Sequence, residues 1–195
     1  MSKILGISGV ATSGKDTLCQ LIIEYFKTKD IECKRLALAD KLKEDLFPFI
    51  KEKFNINIFN PNSEEKRMTR PILVSYGKAK RILSEGKYWT DLLEKNIREL
   101  QKENIVPIVT DIRYHEYPED EYFWLKKLNG VLIHISRYDA IGNIIQPANI
   151  EEQTNDLEIK KIADIKYSWQ TESQLCVLFE KHKGVLQEIY EKFKI

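Results

Sequence analysis

The sequence predicts an α/β fold in which a five-stranded parallel sheet lies between layers of helices. Three observations predict it. Short apolar runs alternate with longer amphipathic stretches along the chain. A glycine-bearing loop separates the first apolar run from the first amphipathic one. Charged residues follow the second, third and fourth apolar runs directly, and open parallel sheets bind ligands outside the carboxyl ends of their strands.

The elements follow in order. Residues 3–8 form the first expected strand and 15–29 the first helix, in which Leu18, Leu21, Ile22 and Tyr25 recur at the spacing of one buried face. A second strand over 34–39 leads into a helix over 40–54. Residues 55–70 are polar, contain Asn60-Pro61-Asn62-Ser63 and read as a loop before a helix over 71–84. The next helix, 89–102, carries Leu92, Leu93, Ile97 and Leu100 on one face. The third strand is expected over 105–110, with Pro107 tolerable near its start. A short helix near 119–128 precedes the fourth strand, 130–136. Residues 138–154 carry Gly142 and Pro147 and read as an excursion from the sheet. A fifth strand over 163–167 and a last helix over 171–193 complete the chain.

A chain of 195 residues that is 43% hydrophobic suffices for one substantial core, so a single domain over residues 1–195 is expected. The formal net charge of +1 argues against binding to a nucleic acid polymer, which needs a basic footprint. No run approaches the roughly 20 apolar residues that span a bilayer, and the apolar stretch near Met1 is too short for a signal peptide. Cys19, Cys33 and Cys176 are odd in number and scattered, which fits free thiols in a reducing cytoplasm. No repeat or low-complexity tract is present.

The stretch Gly9-Val10-Ala11-Thr12-Ser13-Gly14-Lys15-Asp16-Thr17 nearly matches the phosphate-binding pattern G-x-x-x-x-G-K-[ST]. Its glycines let backbone amides approach phosphates, and the helix that follows presents its positive end. Gly9, Ser13, Gly14 and Lys15 are thus expected on a nucleotide, with Lys15 at the β- and γ-phosphates and Thr17 offering a further hydroxyl. Asp16 stands where a magnesium-binding hydroxyl belongs. Mg²⁺ accepts one or two carboxylates beside phosphates and waters, so Asp16 could hold it together with Asp111, the acid that ends the third strand. Each has a plainer alternative: Asp16 complements the positive end of a helix, and Asp111 caps a turn. Arg113, two residues on, can point the same way as Asp111 along an extended segment. Trp89 is read as a packing residue or the lining of a base pocket. His134 is read as a core residue, His182 as exposed, and Arg35, Arg67 and Arg98 as surface residues.

These residues together resemble the bacteriophage deoxynucleoside monophosphate kinases. The likeness is carried by the Gly9–Thr17 stretch with its Gly14-Lys15-Asp16-Thr17, by Leu38-Ala39-Asp40-Lys41-Leu42-Lys43, and by Thr110-Asp111-Ile112-Arg113. It continues through Arg70-Pro71, Gly77, Arg81 and Tyr88-Trp89 in the middle of the chain. Phosphomevalonate kinases of animals share the Gly-Lys-Asp form of the loop. The resemblance implies a P-loop three-layer sandwich of nucleoside monophosphate kinase type, with a substrate-binding region about 40–90 and a lid about 137–154. It implies ATP and Mg²⁺ as cofactors and transfer of the γ-phosphoryl group to a dNMP or NMP. It sets Asp40, Lys43, Arg70 and Arg81 near the acceptor, Arg113 near the transferring phosphates, and Arg137 at the start of the lid, on the nucleotide. With Trp89 these complete the expected site, in which Lys15, Asp111, Arg113 and Arg81 serve catalysis. Two departures stand out: Tyr117 occupies a position where the family has an acid, with Glu116 one residue early, and Tyr167-Ser168-Trp169 replaces an asparagine-glycine turn.

Phosphoryl transfer asks mainly for positioning and for cations around the spreading charge, and an acceptor phosphate needs no strong base. That suits a chain without an obvious His/Asp catalytic pairing. Another small phosphometabolite as acceptor, or a noncatalytic nucleotide-binding module, remains the alternative. Absence of Asn-Lys-x-Asp, and of D-x-x-G after the third strand, argues against a GTPase-like switch. The expected location is cytoplasmic, including the host cytoplasm for a phage-encoded enzyme, with no membrane partner; a homodimer is left open.

Overall fold

The central strand β1, Leu5–Ser8, is fully buried and pairs in parallel with β3, Val106–Val109, on one side and β4, Val131–Tyr138, on the other. In this computed structural model, which describes residues 3–170 and 179–194, β2 (Cys33–Leu36) and β5 (Ile165–Gln170) complete a five-stranded all-parallel sheet in the order β2-β3-β1-β4-β5. The fold class is the expected one. The three inner strands are near-continuous apolar runs because both of their faces are covered. The edge strand β2 is partly exposed along its length.

On one face, helix α1 (Lys15–Lys27) and the last helix, α7 (Lys183–Lys194), pack together. Leu18, Leu21, Ile22 and Phe26 of α1 form a core with Leu186 and Ile189 of α7 and with Leu5, Ile7 and Ile133 of the sheet. The opposite face is covered by α4 (Lys87–Lys102) and α5 (Glu121–Lys127) through Trp89, Leu93, Ile97, Trp124 and Leu125. Helices α2 (Leu38–Phe54) and α3 (Ser63–Leu83) extend from that layer over a smaller cluster built on Leu46, Ile50, Ile56 and Ile58. Helix α6 (Ile150–Ile162) buries Ile159 in the cluster that α4 and α5 form.

Several expectations are corrected. Helix α3 starts at Ser63 rather than Pro71, because Asn62 and Glu65 form a reciprocal capping box that satisfies the orphan amides at its start. Pro71 lies inside the helix, so the loop is confined to residues 55–62. Strand β4 continues to Tyr138, pairing Arg137 with Trp169 on β5, so Arg137 belongs to the sheet rather than to a lid. The excursion read over 138–154 is a loop only as far as Asn149, whose side chain accepts from the Glu152 amide and starts α6. Leu92 is exposed, and the buried face of α4 runs instead through Trp89, Leu93, Ile97 and Leu100. His182 is buried, hydrogen-bonded to the Tyr167 hydroxyl and edge-on to its ring. Residues 171–178 of the expected last helix, and with them Cys176, lie outside the described residues. Cys19 and Cys33 are free thiols whose pKa burial pushes up to about 12.

Candidate active site

The loop over residues 9–14, the expected phosphate loop, connects β1 to α1 with three residues at positive φ: Gly9 at 141°, Thr12 at 62° and Gly14 at 91°. A Cβ on Gly9 would lie 2.4 Å from the Ile135 carbonyl oxygen, and one on Gly14 would lie 2.2 Å from the Trp169 ring. Both positions therefore require glycine on conformation and on space. The Trp169 indole donates from Nε1 to the Ser13 carbonyl at 2.9 Å, so β5 clamps the loop from below. Ser13 is fully buried, and its Oγ has no hydrogen-bond partner among the described residues. Arg137, expected on the nucleotide, donates to the Thr12 carbonyl at 3.1 Å.

Lys15 folds back over this loop and donates to the carbonyls of Gly9 and Val10 at 2.8 and 2.7 Å. Burial, and then the neighbouring Arg113 charge, lower its pKa to about 8. Thr17, half-buried, lies in the first turn of α1 beside it.

Asp16 keeps a side chain that is 74% exposed, and its Oδ1 accepts from Arg35 Nε at 2.7 Å. The same guanidinium reaches Asp40 Oδ2 through Nη1 at 3.0 Å, and Lys43 Nζ lies 3.5 Å from Asp40 Oδ1. Arg35 is therefore more than a surface residue: it ties the phosphate loop to the start of α2. Sequence reasoning missed it because nothing along the chain marks an arginine on an edge strand as the partner of two separate aspartates.

Asp111 is buried, and its two oxygens accept from the amides of Leu38 at 2.9 Å and Ala39 at 2.7 Å. It caps the first turn of α2, the plainer of its two readings. Burial raises its pKa and the two amides oppose the rise. Among the described residues no group of three or more His, Cys, Asp or Glu side chains is placed to hold a metal ion.

Arg81, expected at the acceptor, borders the same cavity as Lys43 and Arg70, with its guanidinium paired to acids. Its Nε and Nη2 donate to both oxygens of the fully buried Asp120 at 2.8 and 2.6 Å, and Nη2 also reaches Glu116 at 2.8 Å. The Tyr114 ring covers it at 3.9 Å and Tyr117 at 4.8 Å. Asp120 in turn accepts from the amides of Glu116 and Tyr117 at 2.7 and 2.8 Å. This network shapes the segment after Arg113. Glu121, next in sequence, accepts from the amides of Arg113 and Tyr114. Burial and then the charge of Asp111 push the Glu121 pKa up to about 8. The only sequence signal for Glu121 was an acid at a predicted helix start.

A cavity of about 700 Å³ joins these parts. Gly9, Ala11 and Thr12 border it at one end; Lys43, Arg70 and Arg113 bring cations, and Trp89 contributes an apolar wall. Trp89 is held by a 3.0 Å bond from its Nε1 to the Gly77 carbonyl and by edge-on contact with Tyr88. Arg113 is exposed. The wall above the loop is α6, through Glu151, Glu152 and Asp156. The structure thus gathers Lys43, Arg70, Arg81, Trp89, Asp111 and Arg113 with the loop around one space.

No family model matches the sequence, and no curated protein matches it. Among solved structures, dephospho-CoA kinase from Campylobacter jejuni is 18% identical with a TM-score of 0.49, covering 97% of this chain and 98% of that one. A protein from Chloroflexus aurantiacus provisionally described as a kinase is 11% identical with a TM-score of 0.43, covering 94% of this chain and 98% of its own.

Proposed function

We propose that this chain is an ATP-dependent kinase that transfers the γ-phosphoryl group to the phosphate of a nucleoside or deoxynucleoside monophosphate. The observation that carries the reading is the shared cavity: a phosphate loop at one end, and Lys43, Arg70 and Arg113 around the same space. Two anionic groups facing one another are what such a charge distribution suits, and close positioning supplies most of the catalysis in phosphoryl transfer. The apolar side at Trp89, Leu42 and Leu73 suits a base.

In this reading the loop amides and Lys15 hold the donor phosphates. Arg113 meets the charge that spreads onto the transferring group, and Lys43 and Arg70 orient the acceptor. No general base is assigned, since the acceptor phosphate is already an anionic nucleophile. Asp16 and Asp111 would hold Mg²⁺: Asp16 offers an exposed carboxylate on the loop, and each Asp111 oxygen accepts only one amide among the described residues. That donor set fits an ion bound mostly by phosphates and waters. When bound, the ion neutralises charge on the phosphates.

The test is ADP release by the purified chain with ATP and Mg²⁺ across a panel of NMPs, dNMPs and other small phosphorylated acceptors. Turnover stimulated by one class of monophosphate supports the reading. Stimulation only by a non-nucleotide acceptor moves the substrate elsewhere. ATP binding with no acceptor-dependent turnover leaves a nucleotide-binding module and refutes the kinase reading.

A further inference from the structure

The phosphate loop already carries a carboxylate from the chain's own α6. Glu152 Oε1 accepts from the Ala11 amide at 2.9 Å, across 141 positions of sequence, and its Oε2 accepts from the Ala148 amide at 2.6 Å. A charge-assisted bond from a loop amide to an oxyanion is the interaction a nucleotide phosphate would make there. Lys15 feels the same group: among the acids acting on its ammonium, Glu152 has the largest effect, ahead of Asp111 and Asp16. The amide that a donor phosphate would use is thus taken by Glu152, and the charge of that carboxylate also acts on Lys15.

The two halves of α6 are held differently. Toward its C-terminal end, Ile159 is buried in the core, Asp156 Oδ1 lies 3.0 Å from Nε2 of the buried His134, and Lys160 donates to Ser136 Oγ at 3.0 Å. The first turn is held by polar bonds, Glu152 on the loop and Glu151 Oε2 to Lys78 Nζ on α3 at 3.0 Å, the latter pair about half exposed. It is entered through residues 139–149, where Gly142 has φ of 89° and open space around it. Ile141 in this stretch and Ile150, the first residue of α6, are over four-fifths exposed.

We propose that Glu152 is an internal stand-in for a nucleotide phosphate: it seats the first turn of α6 on the loop and is displaced when a triphosphate binds. A carboxylate and a phosphate cannot share the Ala11 amide, and two anions side by side next to one lysine repel each other. Binding therefore lifts the first turn of α6 while the sheet-anchored half stays in place. This rests on the nucleotide-binding reading above. It adds a self-occupied state that lowers apparent affinity by the fraction of loops that Glu152 fills.

The test uses the full chain and its Glu152→Gln and Glu152→Ala variants, with ATP and with adenosine as a phosphate-free control. Calorimetry is expected to give an ATP Kd about tenfold lower for Glu152→Ala than for the unaltered chain, with Glu152→Gln between them and adenosine unchanged. Hydrogen exchange in the first turn of α6 is expected to quicken when ATP is added to the unaltered chain, a readout that needs no variant. ATP binding with equal or weaker affinity in Glu152→Ala overturns the inference and makes Glu152 a fixed tie. So does unchanged or slowed exchange in that turn. Failure of ATP to bind any of the three chains overturns the nucleotide reading and this inference together.

Discussion

Arg35 Nε lies 2.7 Å from Asp16 Oδ1, and the same guanidinium holds Asp40 at 3.0 Å. An acid in the phosphate loop is thereby neutralised from β2, on the side facing the start of α2. Exposed ion pairs contribute little to stability, so the consequence is expected in the orientation of Asp16 rather than in folding. Asp16→Ala should lower transfer strongly and weaken its Mg²⁺ dependence, whereas Asp16→Ser retains part of the activity. Arg35→Ala should leave the melting temperature within about 2 °C, from the small energy of exposed pairs, while raising the Mg²⁺ concentration needed for half-maximal rate. A magnesium titration of the three variants checks this, and wild-type rates in Asp16→Ala would remove the residue from the metal.

Arg81 and Asp120 behave differently because they are buried. Removing one partner leaves an uncompensated buried charge, which costs about 3–5 kcal/mol. Arg81→Ala and Asp120→Ala are both expected to lose stability on that scale in urea unfolding, and Arg81→Lys should recover only part of it, since an ammonium cannot replace the two-nitrogen fork. Full stability with a raised acceptor KM in Arg81→Ala would instead return Arg81 to the substrate.

Much of this site was legible because it depends on local chemistry. Gly9, Gly14 and Lys15 announce the loop by spacing, and Asp111 and Arg113 mark a strand end. What escaped depends on contacts between distant segments. Helix α6 turns Glu152, Asp156 and Lys160 inward around Ile159, and each polar group finds its partner in another element. No apolar periodicity could therefore reveal it. Pro71 obscured α3 for a related reason: the signal for its start lay earlier, in the Asn62 and Glu65 pair. Asp111 was found by position, yet only the amides of Leu38 and Ala39 show that it also organises α2.

Glu121 should make stability fall as the solution turns alkaline. Its folded pKa, raised to about 8 from an ordinary 4.5, means that the folded chain binds more protons than the unfolded one between those values. Stability from this group is present below pH 4.5 and is lost progressively up to about pH 8. Glu121→Gln keeps an oxygen for the amides of Arg113 and Tyr114 and removes the charge. Thermal melts at pH 6 and pH 9 are expected to show a smaller loss in the variant than in the unaltered chain. A difference of ~1 kcal/mol corresponds to roughly 2–4 °C. Parallel pH profiles for the two chains would show that the Glu121 carboxyl does not titrate in that window.

The last expectation concerns Trp169, which replaces the glycine turn that the resemblance led one to expect. Its ring leaves no room for a Cβ at Gly14, and its Nε1 holds the Ser13 carbonyl at 2.9 Å. Gly14→Ala meets the ring at 2.2 Å and also strains a φ of 91°. The loop must therefore shift away from β5. Trp169→Phe removes the hydrogen bond while keeping an apolar ring beneath the loop, at a stability cost of about 1–2 kcal/mol. The two variants should weaken ATP binding by different routes. Gly14→Ala distorts the loop amides proposed to hold the phosphates and should abolish binding measured by calorimetry. Trp169→Phe only loosens the loop, so affinity should fall several-fold, and Gly14→Ala combined with Trp169→Phe should remain as impaired as Gly14→Ala because the positive φ persists. Recovery of ATP affinity in the double variant would show that contact with Trp169, rather than the backbone angle, is what demands glycine there.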